Sequence, residues 1–261
     1  MKARGWIGGL LAVGLAWSGL AMAQDRTVDV GGRPIVVPVE KGYELISDQP
    51  VFIDMLAKFL PPGLRLLAVS MHKEDIESEL MAAEKHPYYF YAVPVNVQSM
   101  DLEDATWIVA RPMIEAQLKT LDLDALAKPM LDKGSKALSD QLGAKVDISG
   151  ELSEKQVVWV APDGSVRMTA VMPSRMQLAN QKGEYLQDAG IAILPVRKRM
   201  LAVYAYRSRG EGEKGSDAIR AALDTALQAF QRANAAPAAS VPAPPAPPAP
   251  LAPPPPPVGK R

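Results

Sequence analysis

The 261-residue chain has no cysteine and only two histidines, His72 and His86. Without thiols it has no disulfide, no lipid-attachment cysteine and no thiol nucleophile. Only two positions can supply imidazole chemistry. No serine lies in a G-x-S-x-G elbow, and no P-loop, dinucleotide-binding glycine fingerprint or H-E-x-x-H run occurs. Excess charge is missing too, since 29 basic residues balance 29 acidic ones. A neutral surface argues against nucleic acid as a partner, because duplex affinity rests on neutralising phosphates with a basic face. It also gives no electrostatic reason for adsorption to anionic membranes.

What is present starts with MKARGWIGGLLAVGLAWSGLAMAQ, two cations before an apolar run that ends in Ala21-Met22-Ala23. This small-x-small ending is the pattern of a cleaved signal peptide over residues 1–23, so the expected location is periplasmic or secreted. Five glycines thin the run, and the cleavage site ends it short of the roughly 20 apolar residues that a span needs. No stable membrane insertion is expected after cleavage. Removing Lys2 and Arg4 leaves 27 basic against 29 acidic residues, a net charge of −2.

Residues 24–234 are long enough for a single α+β domain with a substantial core, which an exported chain without disulfides needs. From 235 to 261 the composition shifts to AAPAASVPAPPAPPAPLAPPPPPVGKR. Alanine and proline bury little, so this reads as a disordered proline-rich C-terminal tail. In polyproline II, at about 3.1 Å per residue, Pro242–Pro257 would reach about 50 Å. It is a spacer, a docking arm for an envelope protein or cell-wall partner, or an extension with no role of its own.

The clearest local signal is KQVVWVAPDGSVRMTAVM, residues 155–172: two strand-like runs flank the turn Pro162-Asp163-Gly164. Residues 27–30 and 34–37, separated by Gly31-Gly32, predict a second hairpin. An amphipathic helix is expected over 48–60, a strand over 64–71, and a strand over Tyr88–Val95 in which Pro94 marks an edge or a bulge. Over 101–142 the pattern is helical. Asp101 is a candidate cap, Trp107, Ile108, Met113, Ile114 and Leu118 form an apolar stripe, and Pro112 and Pro129 are expected to kink or divide the region. Strands near 146, 190–194 and 199–206 follow, then a helix carrying Ile219, Leu223, Leu227 and Phe230 on one side, with Asn234 able to end it. Strands joined by short turns predict a largely antiparallel sheet flanked by helices.

The opening hairpin, the break Pro38-Val39-Glu40-Lys41-Gly42-Tyr43, the Tyr-containing strand 199–206 and the helix 217–233 together resemble the Mog1/PsbP-like proteins. That resemblance implies an antiparallel sheet sandwiched by helices, and a binding or assembly role without a catalytic constellation.

Among candidate residues, Tyr88, Tyr89 and Tyr91 stand out because aromatics make up only 6% of the chain. Alternation puts Tyr89 and Tyr91 on one sheet face with Val93, and Tyr88 and Phe90 on the other. If exposed, the Tyr89 face is a surface for a peptide, glycan or partner; otherwise it packs beneath a helix. His72, Glu74, Asp75 and His86 include metal-ligand chemistry, but residues 73–85 read as a solvated charged segment, so no metal is expected. Met168, Met172 and Met176 lie on and just past a strand rather than on a helix, so packing rather than copper binding is expected. Asp101/Glu103/Asp104 and Asp122/Asp124 look like helix starts. No cofactor is implied. The sequence thus points to a non-catalytic exported binding or assembly protein with a proline-rich spacer. The alternative is an envelope hydrolase or metal-dependent enzyme with a site near His72 and Glu74.

Overall fold

The structure, a computed structural model, describes residues 25–46, 53–54, 56–77, 86–150, 156–178, 181–210, 213 and 215–235. The expected signal peptide and all of the expected tail after Ala235 lie outside them. So do residues 48–52 and 55 of the helix expected over 48–60; of the rest, Ile53, Asp54 and Leu56 are helical and Ala57–Phe59 forms a 3-10 turn.

Ten strands and four helices are described. The first hairpin, β1 (Arg26–Val30) and β2 (Arg33–Val37), forms a sheet of its own. The remaining strands are β3 (Tyr43–Leu45), β4 (Leu64–His72), β5 (Tyr88–Pro94), β6 (Val146–Gly150), β7 (Val157–Val160), β8 (Val166–Leu178), β9 (Gln181–Val196) and β10 (Arg199–Ser208). They form one antiparallel sheet in the order β3-β4-β5-β10-β9-β8-β6, and β7 pairs with β8 beyond β6. The helices are α1 (Lys73–Glu77), α2 (Asp104–Thr120), α3 (Leu123–Leu142) and α4 (Asp217–Ala235). The expected α+β class is what the structure has.

Alternation along the strands sorts the side chains into two cores. On one face Tyr89, Tyr91, Val93, Leu194, Leu201 and Val203 meet Ile35 and Val37 of the small sheet and Ile219, Leu223, Leu227 and Phe230 of α4. On the other, Leu66, Val69, Phe90, Ala202 and Tyr204 meet Leu138 of α3 and Leu60, while Trp107 of α2 packs on Val166. The sheet is covered on both sides, a three-layer arrangement that removes from water the apolar residues of both pleat faces.

The turn of the central hairpin is where the layers are tied together. Gly164 has φ +78°, which an L side chain rarely adopts, and its N–H donates to Ala161 O at 2.9 Å. Asp163 Oδ1 accepts from Ser165 N at 3.0 Å and Oγ at 2.6 Å, and its Oδ2 accepts from Arg167 at 2.8 Å and from Gln231 of α4 at 3.0 Å. From the opposite side Trp107 Nε1 of α2 donates to Gly164 O at 3.1 Å. Burial alone would raise the Asp163 carboxyl, but these hydrogen bonds and Arg167 outweigh it and hold the group below its usual range.

A second junction lies at the β9–β10 turn, where Arg197 and Lys198 both have positive φ, 46° and 61°. Side chains account for the absence of glycine. Arg197 donates to Asn234 O at 3.1 Å and Pro34 O at 3.0 Å, and Lys198 pairs with Glu103 at 2.7 Å. The buried Arg199 donates to Val30 O at 3.0 Å, Gly31 O at 2.6 Å and Met100 O at 3.1 Å, and pairs with Asp101. Asn234 docks on β2: its Oδ1 accepts from Val36 N at 2.9 Å and its Nδ2 donates to Val36 O at 2.7 Å. The helix it was expected to end runs one residue further.

Four expectations need correction. Pro112 and Pro129 do not divide 101–142; both sit inside helices, and the division falls at Leu121–Asp122. There Asp122 Oδ1 caps α3 by accepting from Ala125 N at 2.9 Å, and Gln156 Nε2 from the start of the central hairpin donates to Leu118 O at 2.8 Å, closing the end of α2. Asp101 is not a cap, because Arg199 and Arg33 claim it; they also hold its carboxyl below the usual range. Pro94 marks no edge: β5 lies between β4 and β10, and Pro94 is its last residue, while the bulge falls between Leu66 and Ala68 on β4. The supposed single apolar stripe of α2 is two faces, described below.

Candidate functional site

The connection from β4 to β5 gathers both histidines. His72 ends β4, Glu74 lies in the first turn of α1, and His86 stands two residues before β5. The two imidazoles stack with centroids 3.6 Å apart at 22°. One possible ligand atom from each of His72, Glu74 and His86 lies within 4.8 Å of the others. Asp75 is not a solvated residue as its neighbours in sequence suggested. Its side chain is 4% exposed, and its Oδ2 accepts from His86 N at 3.1 Å and lies 3.2 Å from His86 Nδ1. The segment 78–85 lies outside the described residues.

Behind this cluster stands Tyr43 of β3. Its ring meets His72 edge-on at 5.2 Å, and its hydroxyl donates to Pro87 O at 3.0 Å. Burial pushes the Tyr43 phenol up to about 12, opposed by a hydrogen bond with Tyr89, so it stays neutral and is a prop rather than a ligand. Gly42 has φ +88°, and a Cβ there would lie 2.6 Å from His72 Nε2, so the ring fits only against a glycine.

The tyrosine cluster divides as the alternation predicted, but its Tyr89 face is no open surface. Tyr89 and Tyr91 are 2% and 1% exposed, and Tyr91 stacks on Phe230 of α4 at 5.4 Å. The correction follows from α4, whose apolar side needs that face as its floor. Burial raises the phenols of Tyr89 and Tyr91 above their ordinary range. Burial likewise raises the carboxyl of Glu40, with Arg232 opposing. Tyr88 lies on the opposite face, stacks on Tyr206 at 5.3 Å and accepts from Gln187 Nε2 at 2.7 Å. Of the five residues singled out by sequence, the structure brings His72 and His86 into contact, links them through Tyr43 to Tyr89, and sets Tyr88 and Tyr91 apart.

The surface that sequence reasoning missed is the outer side of α2. Trp107, Ile114 and Leu118 point inward to the sheet. Ile108, Val109 and Met113 are 60%, 70% and 63% exposed, and Ala105, Pro112 and Ala116 are exposed beside them. Spacings of three and four put all six on one helical face. The signal was available in the sequence: 107, 114 and 118 fall on one side of a helical wheel, and 105, 108, 109, 112, 113 and 116 on the other.

Among the described residues no helix is long and apolar enough to cross a membrane. No family model matches the chain. No curated protein matches it either. Among solved structures, it is similar to the Ran-binding protein Mog1p of Saccharomyces cerevisiae, with 13% sequence identity over 81% of this chain and 90% of that one and a TM-score of 0.24.

Proposed function

We propose that this chain is a non-catalytic binding or assembly protein, exported to the periplasm or beyond, that acts by contact through the outer face of α2. The observation that carries the reading is the row Ala105, Ile108, Val109, Pro112, Met113 and Ala116, six apolar side chains on one exposed helix face. Soluble monomers seldom leave such a contiguous row uncovered, and an amphipathic or apolar protein surface is its natural complement. The partner proposed is an envelope protein, and the proline-rich segment acts as a spacer.

The experiment places a photo-crosslinking residue at Val109 or, as a control, at Lys136 on α3, in the full chain expressed in its envelope. A discrete adduct from position 109 and none from 136 supports the reading; equal labelling of both sinks it. Mass spectrometry of the recovered protein checks export, with an N-terminus at Gln24 expected.

The alternative, a hydrolase or metal-dependent enzyme, is favoured by the meeting of His72, Glu74 and His86. It requires turnover of some ester, amide or glycoside that disappears in H86Q while melting is unchanged.

A further inference from the structure

Histidine is the scarcest reactive side chain here, and both copies have been folded against each other beside a carboxylate. We propose that His72, Glu74 and His86 bind one borderline divalent transition-metal ion, with zinc(II) as the reference metal. This rests on the geometry of the β4–β5 connection and holds whether or not α2 docks a partner.

The donor set is two imidazole nitrogens and one carboxylate oxygen, which suits zinc, copper(II) or nickel and gives soft monovalent ions nothing to grip. Zinc–nitrogen and zinc–oxygen bonds of about 2.0–2.2 Å put donors on a tetrahedral ion about 3.4 Å apart. The three ligand atoms already lie within 4.8 Å. Rotation about side-chain torsions closes the difference, and Glu74, exposed on the first turn of α1, has room for it.

The hydrogen bonds around the rings determine which nitrogens offer lone pairs. A carboxylate can only accept, so the 3.2 Å approach of Asp75 Oδ2 to His86 Nδ1 puts the proton on Nδ1 and leaves Nε2 bare. This carboxylate-to-histidine support is the usual outer shell of a histidine ligand, and here the supporting oxygen is buried. His72 Nδ1 accepts from Glu74 N in a long contact of 3.4 Å, so its lone pair faces Glu74, while Nε2 lies against Gly42. An ion therefore takes His86 at Nε2 and His72 at Nδ1, displacing the long contact from Glu74 N, while Tyr43 and Gly42 hold the His72 ring from behind. Both histidines are partly exposed, so an ion can enter and remaining coordination positions are open to water.

The test uses the tag-free chain, stripped with a chelator and titrated with zinc sulfate while the imidazoles are followed by nitrogen-15 NMR. With two histidines in the whole chain, every imidazole signal reports on this site. One zinc per chain should move both rings together and raise the melting temperature. His72→Gln and His86→Gln should each weaken binding on the order of 100-fold, and Asp75→Asn about 10- to 100-fold. Asp75→Asn should in addition change the His86 Nδ1/Nε2 shift pattern, which a purely structural role would not. Should a histidine variant fail to fold, Glu74→Gln, altered at an exposed side chain, carries the test with an expected loss of about tenfold. Imidazole signals that stay put at tenfold excess zinc, or unchanged affinity in Glu74→Gln and the histidine variants, would overturn the proposal.

Discussion

Helices α2 and α4 are 17 and 19 residues long, and both lie on the main sheet. Their sides are nonetheless used in opposite ways. Helix α4 puts Ile219, Leu223, Leu227 and Phe230 at 0–1% exposure and turns polar residues outward. Helix α2 carries apolar residues on two sides: one covers Val166 through Trp107, and the other is left in water. A helix with one apolar side is spent on the core; a helix with two has one to offer. The difference separates residues that hold the fold together from residues available for contact.

The sharpest way to break this comparison is to truncate inside α4. Phe230→Ala removes a fully buried ring that stacks on Tyr91 and should cost about 3–5 kcal/mol in a urea melt. A loss below about 1 kcal/mol would mean that α4 is not the cover described. Next in size is Trp107→Phe, which keeps an aromatic ring on the inner side of α2 but loses the bond to Gly164 O; about 1 kcal/mol is expected from chemical denaturation.

A smaller effect is expected at low pH. The Asp163 carboxyl titrates below its unfolded value near 3.8, so its contribution is complete above that value and disappears as pH falls through the folded one. Asp163→Asn should therefore flatten the dependence of stability on pH below about pH 4, followed by circular dichroism. If wild type and variant lose stability with the same slope there, the turn is not held by charge. Glu40 runs the other way: its folded carboxyl titrates above the unfolded value, so its ionised form opposes folding as pH rises. Glu40→Gln should raise the melting temperature slightly at pH 7 and leave it unchanged at pH 4.

The smallest change in stability belongs to the outer side of α2. Val109→Ser and Met113→Ser together should alter stability by no more than about 0.5 kcal/mol, the range of surface substitutions, while abolishing the adduct expected from that face. A larger loss would put these residues in the core after all, and an undiminished adduct would detach binding from α2.

Much of the fold was legible because its signals are local. Pro162-Asp163-Gly164 between branched runs fixes a hairpin, Tyr88–Tyr91 sorts by alternation, and Ile219, Leu223, Leu227 and Phe230 recur at helical spacing. What was not legible depends on distant partners. Asp101 looks like a cap until Arg199, 98 residues away, claims it. Pro112 looks like a breaker, yet α2 runs through it to an end closed by Gln156. The histidine cluster was only half visible: the residue types were plain, but 13 residues separate His72 from His86, and no spacing rule shows that their rings will stack or that Asp75 will be buried beside the exposed Glu74. The outer side of α2 was missed because apolar residues were assumed to share one destination.

The three basic residues Arg197, Lys198 and Arg199 fasten points up to 169 positions earlier in the chain, among them Val30, Gly31 and Pro34. Closing so large a loop is slow, and contacts of this reach come after local ones. A chain that emerges amino end first can tie its opening hairpin to Arg65 and Asp101, but the anchors on Val30, Gly31 and Pro34 wait for the turn between the ninth and tenth strands. The early part of the polypeptide thus waits on the late part for half of its fastening, and a truncation just before Arg197 would loosen the first hairpin without touching a residue of it.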